Sequence, residues 1–233
     1  MAEKSTTLPS IAVLGGTGDQ GQGLALRWSA TGYHVTIGSR SLDRAKTEVD
    51  RLNAKYEGVD LRANSNRGAA ADADIVVLTV PFKFQQSTVD DVSSVLRGKI
   101  LVDVTVPLVP PKVTRVQLPE SGSAVVGVQR LLGDTVRVVS AFQNVSAHHL
   151  KDLDKKIDCD VLVCGDDVGA RETTIMLARA AGMRGIHGGP LQNSVVSEAL
   201  TSVLIGINKR YKSPGAGIQI TGIPSEADIE NQN

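Results

Sequence analysis

The feature that most constrains this chain is a glycine-rich turn that separates a short apolar segment from a helical one. Residues 10–14 (SIAVL) are mostly apolar, and the GGTGDQG that follows them is typical of the end of a buried parallel strand. Residues 23–31 then place Leu24, Arg27 and Trp28 in an amphipathic helical pattern. This order of strand, glycine turn and helix predicts the first unit of a parallel α/β sheet.

The alternation of apolar runs and helical patterns continues along the chain. Further strands are predicted at 33–38, 59–63, 75–80, 100–104, 135–142 and 160–164. Helices are predicted at 41–52, 66–73, 84–97, 123–132, 168–181 and 191–211. Because each parallel crossover is right-handed and covers the sheet, the fold class is α/β, with a Rossmann-type doubly wound, mainly parallel sheet and a small helical C-terminal lobe.

Composition excludes several classes of protein. The 233 residues carry 25 basic and 25 acidic side chains, so no overall basic field exists to bind nucleic acid or an anionic membrane. The start of the chain is polar and no window has the roughly 20 apolar residues of a membrane span, so we expect a cytoplasmic protein. Cys159 and Cys164 are too few for a disulfide framework or a zinc site, and we expect buried thiols and no bound metal.

We divide the chain into four parts. They are a polar amino-terminal extension at 1–9, a dinucleotide-binding domain at 10–187, a helical lobe at 188–222 and a flexible tail at 223–233. The long Pro-rich connection at 106–119 is of a kind that is more often functional than idle. The helix at 191–211 has an apolar face too broad for an ordinary surface helix, which indicates a homodimer.

The turn itself carries the clearest chemistry. It contains the pattern G-x-G-x-x-G at positions 16–21, namely Gly16, Thr17, Gly18, Asp19, Gln20 and Gly21. Glycines in this context allow a tight turn and bring free main-chain N–H groups at the helix start towards an anion. A glycine turn without a ligand is the alternative, but the flanking strands and helix favour a dinucleotide site.

The end of the second predicted strand distinguishes the two dinucleotides. An NAD site expects an acidic residue here for the ribose 2′-hydroxyl, whereas this chain has Ser39 and Arg40, followed by Arg44. Arginine can bind a 2′-phosphate in bidentate fashion. The alternative is two solvated charges, which the positive helix N-terminus disfavours. The sequence therefore predicts NADP as the cofactor.

Two further features border the predicted site. Thr79, Val80 and Pro81 leave the fourth predicted strand at the sheet edge where ligands bind in open α/β folds, although a strand-ending proline can also be purely structural. Lys209 and Arg210, with Lys212, end the long helix. Favourable charge at a helix C-terminus explains them, and attraction of an anionic substrate is the weaker alternative.

Several motifs together resemble one family. With GGTGDQGQGLALR, GSR before Arg44, LTVP, SAFQNVSA, VCGDD and GPLQNS, the chain resembles the NADPH-dependent reductases of the deazaflavin coenzyme F420, from Ile11 to about Gly222. The resemblance implies that NADP lies along the sheet edge and that F420, the co-substrate, lies in a cleft closed by the C-terminal lobe. It also implies a reversible hydride transfer between nicotinamide C4 and deazaflavin C5.

The resemblance assigns roles residue by residue. Positions expected to contact the nucleotide are Gly16, Thr17, Gly18, Asp19, Gln20, Ser39, Arg40, Arg44, Thr79, Val80, Pro81, Ala147, Ala216 and Gly217. Positions expected to face the deazaflavin are Gln143, Asn144 and Val145. Some family members carry His and Pro where this chain has Gln143 and Ser146, so no histidine role carries over here.

Hydride transfer between two cofactors needs no catalytic side chain, because stacking the two rings at reacting distance suffices. His148 and His149 are accordingly interpreted as ordinary helix-start residues. Two alternatives stay open. One is an NADPH-dependent reductase of a small imine or carbonyl compound, which needs a positioned proton donor, and the other is a non-catalytic NADPH-sensing Rossmann protein.

Overall fold

A computed structural model describes residues 8–224 and places eight strands in one sheet, in the order β3-β2-β1-β4-β5-β6-β7-β8. The strands are β1 Ile11–Leu14, β2 Val35–Ser39, β3 Leu61–Ser65, β4 Ile75–Leu78, β5 Ile100–Asp103, β6 Arg137–Ser140, β7 Asp160–Gly165 and β8 Arg184–Gly189. All neighbours pair in parallel except β6 and β7. The predicted doubly wound, mainly parallel α/β fold is confirmed.

Eight α-helices connect and cover the strands within this part of the chain. They are α1 Asp19–Ala30, α2 Leu42–Lys55, α3 Asn66–Asp72, α4 Gln85–Val92, α5 Ala124–Leu132, α6 Ala147–Leu150, α7 Val168–Ala180 and α8 Ser194–Tyr211. Side-chain hydroxyls begin three of them: Ser41, Ser65 and Ser123 accept a hydrogen bond from the main chain of α2, α3 and α5. None of these helices is long and apolar enough to cross a membrane.

Two apolar layers lie on the opposite faces of the sheet. Strands β1 and β4 are fully buried and contribute alternate side chains to both layers, as expected for a central parallel strand. One layer centres on Trp28, whose ring meets Phe142 edge to face at 5.8 Å and whose indole N–H donates to the carbonyl of Leu177 over 2.8 Å. The other layer includes Leu14, which packs with apolar residues of α3 to α5.

The sequence pattern did not predict β8 or the direction of β7. The β8 segment, RGIHGG, is rich in glycine and lacks a run of apolar residues. The predicted boundary between residues 187 and 188 falls inside this strand. The predicted extension at 1–9 and tail at 223–233 lie almost entirely outside the described residues.

Helix α8 buries polar residues and exposes apolar ones. Ser197, Glu198 and Ser202 are buried, while Val196 and Val203 are about half exposed, at 58% and 47%. The Glu198 carboxylate accepts hydrogen bonds from the Ser123 hydroxyl and from two main-chain N–H groups at the start of α5. The buried face of α8 is therefore held by a polar contact to a helix N-terminus, and its apolar face is open.

Candidate functional site

A cavity of about 670 Å³ runs along the carboxyl edge of the sheet. It is lined by residues that follow β1, β2, β4, β5 and β6 and by Thr201 of α8. Because these five strands are parallel, their carboxyl ends meet at one edge, where ligands bind in open α/β sheets. One end of the cavity is bordered by the glycine turn and α2, and the other by residues after β5 and β6.

The glycine turn fits a pyrophosphate. Gly18 caps α1 without any side-chain hydrogen bond, so the first main-chain N–H groups of this 12-residue helix are open towards the cavity. A Cβ on Gly21 would lie 2.6 Å from both the Gly16 Cα and the Thr79 hydroxyl, so only glycine lets α1 approach this closely. Gly15 adopts φ +70°, which also favours glycine.

Asp19 opens α1 but its carboxylate pairs with a lysine. Lys151, just after α6, lies 2.6 Å from Asp19 Oδ1, and this hydrogen bond lowers the pKa of Asp19. The acidic side chain is thereby neutralised beside the place where phosphates would sit. The pair also connects the first helix to a segment more than 100 residues later in the chain.

The end of β2 and the start of α2 fit a 2′-phosphate. Ser39 ends β2 and is buried, and its hydroxyl accepts from the N–H of Ser41 over 3.2 Å. Arg40 and Arg44 are exposed at the start of α2, and the Arg40 guanidinium lies 4.5 Å from the centre of the Phe84 ring. Within residues 8–224 neither arginine forms an ion pair with a carboxylate. Two unpaired guanidinium groups beside an apolar ring are suited to an adenosine that carries an extra phosphate.

The other end of the cavity combines apolar walls with a fixed amide. Val106, Leu108 and Val145 contribute the apolar surface. The Gln143 amide nitrogen donates to the Asp103 carbonyl and to the Ser140 hydroxyl, each over 2.8 Å, while its Oε1 is buried with no partner in the described part of the chain. The amide is therefore fixed by its two donated hydrogen bonds, while its oxygen lies behind the cavity wall, unsatisfied by any described residue.

The backbone beside Gln143 is unusual. Phe142 adopts φ +70°, a region that non-glycine residues rarely occupy. The Gln20 amide donates to the Phe142 carbonyl over 3.2 Å, and Thr201 of α8 donates to the Gln143 carbonyl over 2.8 Å. The segment after β6 is therefore fixed from both α1 and α8.

Two buried carboxyl groups lie behind this end. Asp103 ends β5 with no exposed surface, and it accepts from the Thr105 N–H and the Gln85 amide over 2.8 and 2.6 Å. Burial raises the pKa of Asp103, and these hydrogen bonds oppose the shift. Burial likewise raises the pKa of Glu198, and repulsion by the charge of Asp103 raises it further. Neither carboxyl lines the cavity.

Most of the residues predicted from the sequence come together in this cavity. Those that line it are Thr17, Gly18, Asp19, Gln20, Ser39, Arg40, Arg44, Thr79, Val80, Pro81, Gln143 and Val145. Gly16 belongs to the same turn but does not line the cavity, and its N–H donates to the Gly38 carbonyl over 3.2 Å.

The remaining predicted residues lie elsewhere. Asn144 is 2% exposed, and its amide donates to the Asp160 carbonyl over 2.7 Å. Ala147 begins α6, outside the lining of either cavity, and Ala216 and Gly217 line a second, smaller cavity. His149 also lines that second cavity, whereas Cys159 and Cys164 are buried free thiols.

Sequence reasoning missed several lining residues. They are Gly15, Ser41, Asn66, Phe82, Phe84, Thr88, Val104, Thr105, Val106, Leu108, Phe142 and Thr201. For Thr105 and Val106 a signal existed, because they follow β5 at the ligand-binding edge. Phe84 and Thr201 reach the cavity through tertiary packing, for which the sequence offers no local pattern.

Known proteins resemble this chain over most of its length. Residues 10–107 match the family described as NADP oxidoreductase coenzyme F420-dependent. The chain is 43% identical to the F420-dependent NADP reductase of Methanocaldococcus jannaschii over 91% of this chain and 98% of that protein. It is 40% identical to the enzyme of the same name from Methanothermobacter marburgensis, over 92% and 99%.

Solved structures share the fold. A crystal structure from Arthrobacter sp. fb24 superposes with a TM-score of 0.77 at 22% identity, over 92% of this chain and all of that one. An imine reductase from Bacillus cereus superposes at 0.59 and 20% identity, over 87% and 62%. Similarity at these identities establishes the fold, whereas the two methanogen relatives establish the family over nearly their full length. The chain belongs to the F420-dependent NADP reductase family.

Proposed function

We propose that this protein transfers a hydride reversibly between NADP(H) and the deazaflavin coenzyme F420, with the two rings stacked directly in the main cavity. The observation that carries this proposal is the two-ended cavity of about 670 Å³, which has apolar walls at one end and, at the other, two arginines that pair with no carboxylate of residues 8–224. Membership of the family makes the chain an NADP-dependent oxidoreductase that uses F420.

At the nucleotide end, binding falls to the backbone and the guanidinium groups. The open N–H groups of α1 receive the pyrophosphate, and Arg40 and Arg44 neutralise the 2′-phosphate, with Ser39 as a further donor. Val80 and Pro81 form the wall beside the ribose, where proline adds stiffness and no competing donor.

At the ring end, the protein positions and excludes water. Val106, Leu108 and Val145 cover the flat surfaces, and the Gln143 amide, bound to the Asp103 carbonyl and the Ser140 hydroxyl, holds this wall in place. When bound here, the nicotinamide would supply a hydride from C4 and the deazaflavin would take it at C5, with the one proton that balances the reduction coming from solvent. No charged side chain of residues 8–224 lines this end, so positioning is the protein's main contribution.

The proposal extends to the oligomeric state, the carboxyl-terminal lobe and the cellular compartment. The open apolar face of α8, with Val196, Val203 and Ile207, supports a homodimer. The lobe at 188–222 closes the deazaflavin cleft, and its first two residues complete strand β8 of the nucleotide-binding sheet. The two free, buried cysteines support a reducing compartment such as the cytoplasm.

The test is a spectroscopic assay of the purified protein with oxidised F420 and NADPH. We expect the deazaflavin absorbance to bleach as NADPH is consumed in equal amount, and we expect no turnover when NADPH is offered with small imines or carbonyl compounds. NADPH consumption with an imine or carbonyl alone would identify the rival reductase. Binding of NADPH without any turnover would identify a nucleotide sensor, and either result contradicts the proposal.

A further inference from the structure

A second cavity of about 160 Å³ lies beside the carboxyl-terminal lobe. Its walls come from α6, from the loop that precedes β7 and from the segment at 215–217. Val145 lines the main cavity and the next residue, Ser146, lines this one, so the two are adjacent along the chain. Ala216 and Gly217, which the family resemblance places at the nucleotide, line this second cavity, whereas its lysines have no role in the proposed hydride transfer.

The loop before β7 is fixed by a buried arginine. Arg27 of α1 is 6% exposed and donates to the carbonyl oxygens of His149, Leu150, Asp152 and Lys155 at 3.3, 2.9, 2.6 and 3.0 Å. One side chain therefore fixes the whole turn that carries the lysines. The cavity walls are preorganised, which lowers the entropic cost of binding a ligand there.

Two lysines line the cavity without a carboxylate partner. Lys155 and Lys156 form no ion pair with any residue that the structure describes, whereas the neighbouring Lys151 pairs with Asp19. The carboxylate of Asp158, also in the lining, accepts a hydrogen bond from the Gln219 amide. Asp158 keeps its charge in that hydrogen bond, so two ammonium groups against one carboxylate leave the lining with a net positive charge.

His149 adds polarity without competing for an anion. Lys155 Nζ lies 3.0 Å from His149 Nδ1 and the Gly215 carbonyl lies 3.3 Å from Nε2. Because an ammonium only donates, Nδ1 accepts and Nε2 carries the proton in this arrangement. A Cβ on Gly215 would lie 2.4 Å from Nε2 and 2.7 Å from the Ser146 hydroxyl, so the glycine permits this close wall.

We propose that this second cavity binds the anionic side chain of the deazaflavin coenzyme, through Lys155 and Lys156. The proposal rests on the proposed function, and it assigns a place to the negatively charged part of the substrate. The group recognised is a single anion, either the phosphodiester or a glutamate carboxylate. Ammonium groups bind both, and a cavity of about 160 Å³ fits one such group.

The basic residues at the end of α8 lie outside the lining of the second cavity. Lys209 and Arg210 are exposed in the last turn of that helix. Their neighbour Asn208 accepts from the Ala216 N–H over 2.7 Å, which attaches the helix end to the wall of the second cavity. The charges of α8 thus adjoin the cavity without lining it, and Lys155 and Lys156 are the better candidates for direct contact.

The experiment compares three deazaflavins: one that lacks the anionic side chain, one that ends at the phospholactate and one with the full oligoglutamate chain. In the Lys155→Ala/Lys156→Ala variant we expect KM for the full coenzyme to rise about tenfold at low salt, with kcat unchanged. KM for the form without the side chain should change by less than about twofold, since that form has no anion to lose.

The intermediate form distinguishes the two anions. A rise in KM for the phospholactate form equal to that for the full coenzyme assigns the cavity to the phosphodiester, and a rise only for the full coenzyme assigns it to a carboxylate. Lys155→Arg/Lys156→Arg keeps both charges and should retain the low KM. The matched control, Arg62→Ala/Arg97→Ala, removes two exposed charges outside both cavities and should leave every KM unchanged.

Failure of this inference is distinct from failure of the proposed function. If the alanine variant shows the same KM as the unmodified protein for all three deazaflavins, the second cavity does not bind the side chain, while hydride transfer stands. If the unmodified protein reduces no deazaflavin with NADPH, the proposed function is wrong and this inference falls with it.

Discussion

The two ends of the main cavity are built in different ways. At the start of α2, where the 2′-phosphate would bind, the hydrogen bonds join residues close in sequence, such as Ser39 with Ser41 and Ser41 with Arg44, and the charged groups are exposed. At the ring end, Gln143 and Thr201 are joined across 58 positions, and the groups behind them are buried. The first end is a local motif, and the second is a product of tertiary packing.

This difference determines what a substitution can do. A change at the nucleotide end removes an interaction with the ligand and leaves the fold nearly intact, because exposed arginines contribute little to stability. A change among the buried polar groups of the ring end alters the stability of the protein itself, because an unpaired buried group is costly. Substitutions at the two ends should therefore differ in whether they change ligand binding or the stability of the fold.

The largest effect is expected for Arg40→Ala/Arg44→Ala. We expect KM for NADPH to rise about 100-fold, equivalent to about 2.7 kcal/mol, because two charge-assisted contacts to the 2′-phosphate are lost. KM for NADH should barely change, since NADH lacks that phosphate. Steady-state kinetics with both nucleotides measures the ratio.

The control for this variant lies on the same helix. Arg51 is paired with Glu48 and lies outside the cavity, so Arg51→Ala should leave the preference for NADPH intact. Thermal unfolding of the double variant should match that of the unmodified protein. Equal affinity of the unmodified protein for NADPH and NADH would contradict the assignment of the arginines.

Gly21→Ala tests a tightly packed position of the nucleotide end. The new Cβ would lie 2.6 Å from the Gly16 Cα and from the Thr79 hydroxyl, so α1 must move away from the turn. We expect a loss of about 2 kcal/mol in the free energy of unfolding and a lower melting temperature. In the control, Gly169→Ala on exposed α7, no atom lies closer than 3.5 Å, and stability should stay equal or rise.

The contrast between the two ends also explains how much the sequence could predict. The turn, Ser39 and Arg44 are identified by their places after a strand or at a helix start, which is a local pattern. Asn144 has a polar side chain in a loop, yet it is buried against Cys159 and Asp160, a contact that only the folded chain creates.

The carboxyl-terminal part of the sheet shows the same limit. Strand β8 contains three glycines, and its place in the sheet comes from pairing with β7 rather than from its own pattern. An apolar run predicts that β7 is buried but not that it lies antiparallel to β6. Helix α8 was predicted from its apolar residues, whereas the structure buries polar ones such as Glu198. The Glu198 carboxylate is buried because it accepts hydrogen bonds from main-chain N–H groups at the start of α5.

Asp103→Asn tests the buried ring end through pH. Burial raises the pKa of Asp103 in the folded protein, so the folded state retains a proton that the unfolded chain releases above about pH 4. The contribution of Asp103 to the free energy of unfolding therefore falls as pH rises, by at most about 1.4 kcal/mol per pH unit. Asparagine cannot titrate, so urea unfolding between about pH 4.5 and 7.5 should show a flatter dependence on pH.

The variant can keep the local hydrogen bonds. The new amide oxygen at position 103 would still accept from the Thr105 N–H, and the Gln85 amide can rotate to accept from the new NH₂ group. An exposed acid supplies the comparison, because Asp134→Asn should leave the pH dependence as it is in the unmodified protein. An unchanged slope in Asp103→Asn would mean that this carboxyl is already ionised in the folded state.

The smallest effect is expected for Asp19→Asn, at the ion pair that joins α1 to the segment after α6. Asp19 lies in the lining of the nucleotide end and pairs with Lys151, which follows α6. The Asp19 side chain is 81% exposed, so solvent screens the pair and its loss should hardly change stability. Asp19→Asn instead removes a negative charge beside the pyrophosphate and frees Lys151. We expect KM for NADPH to fall by about twofold at low salt and the difference to vanish at high salt. A rise in KM would mean that the pair, by positioning the start of α1, does more for binding than the charge of Asp19 does against it.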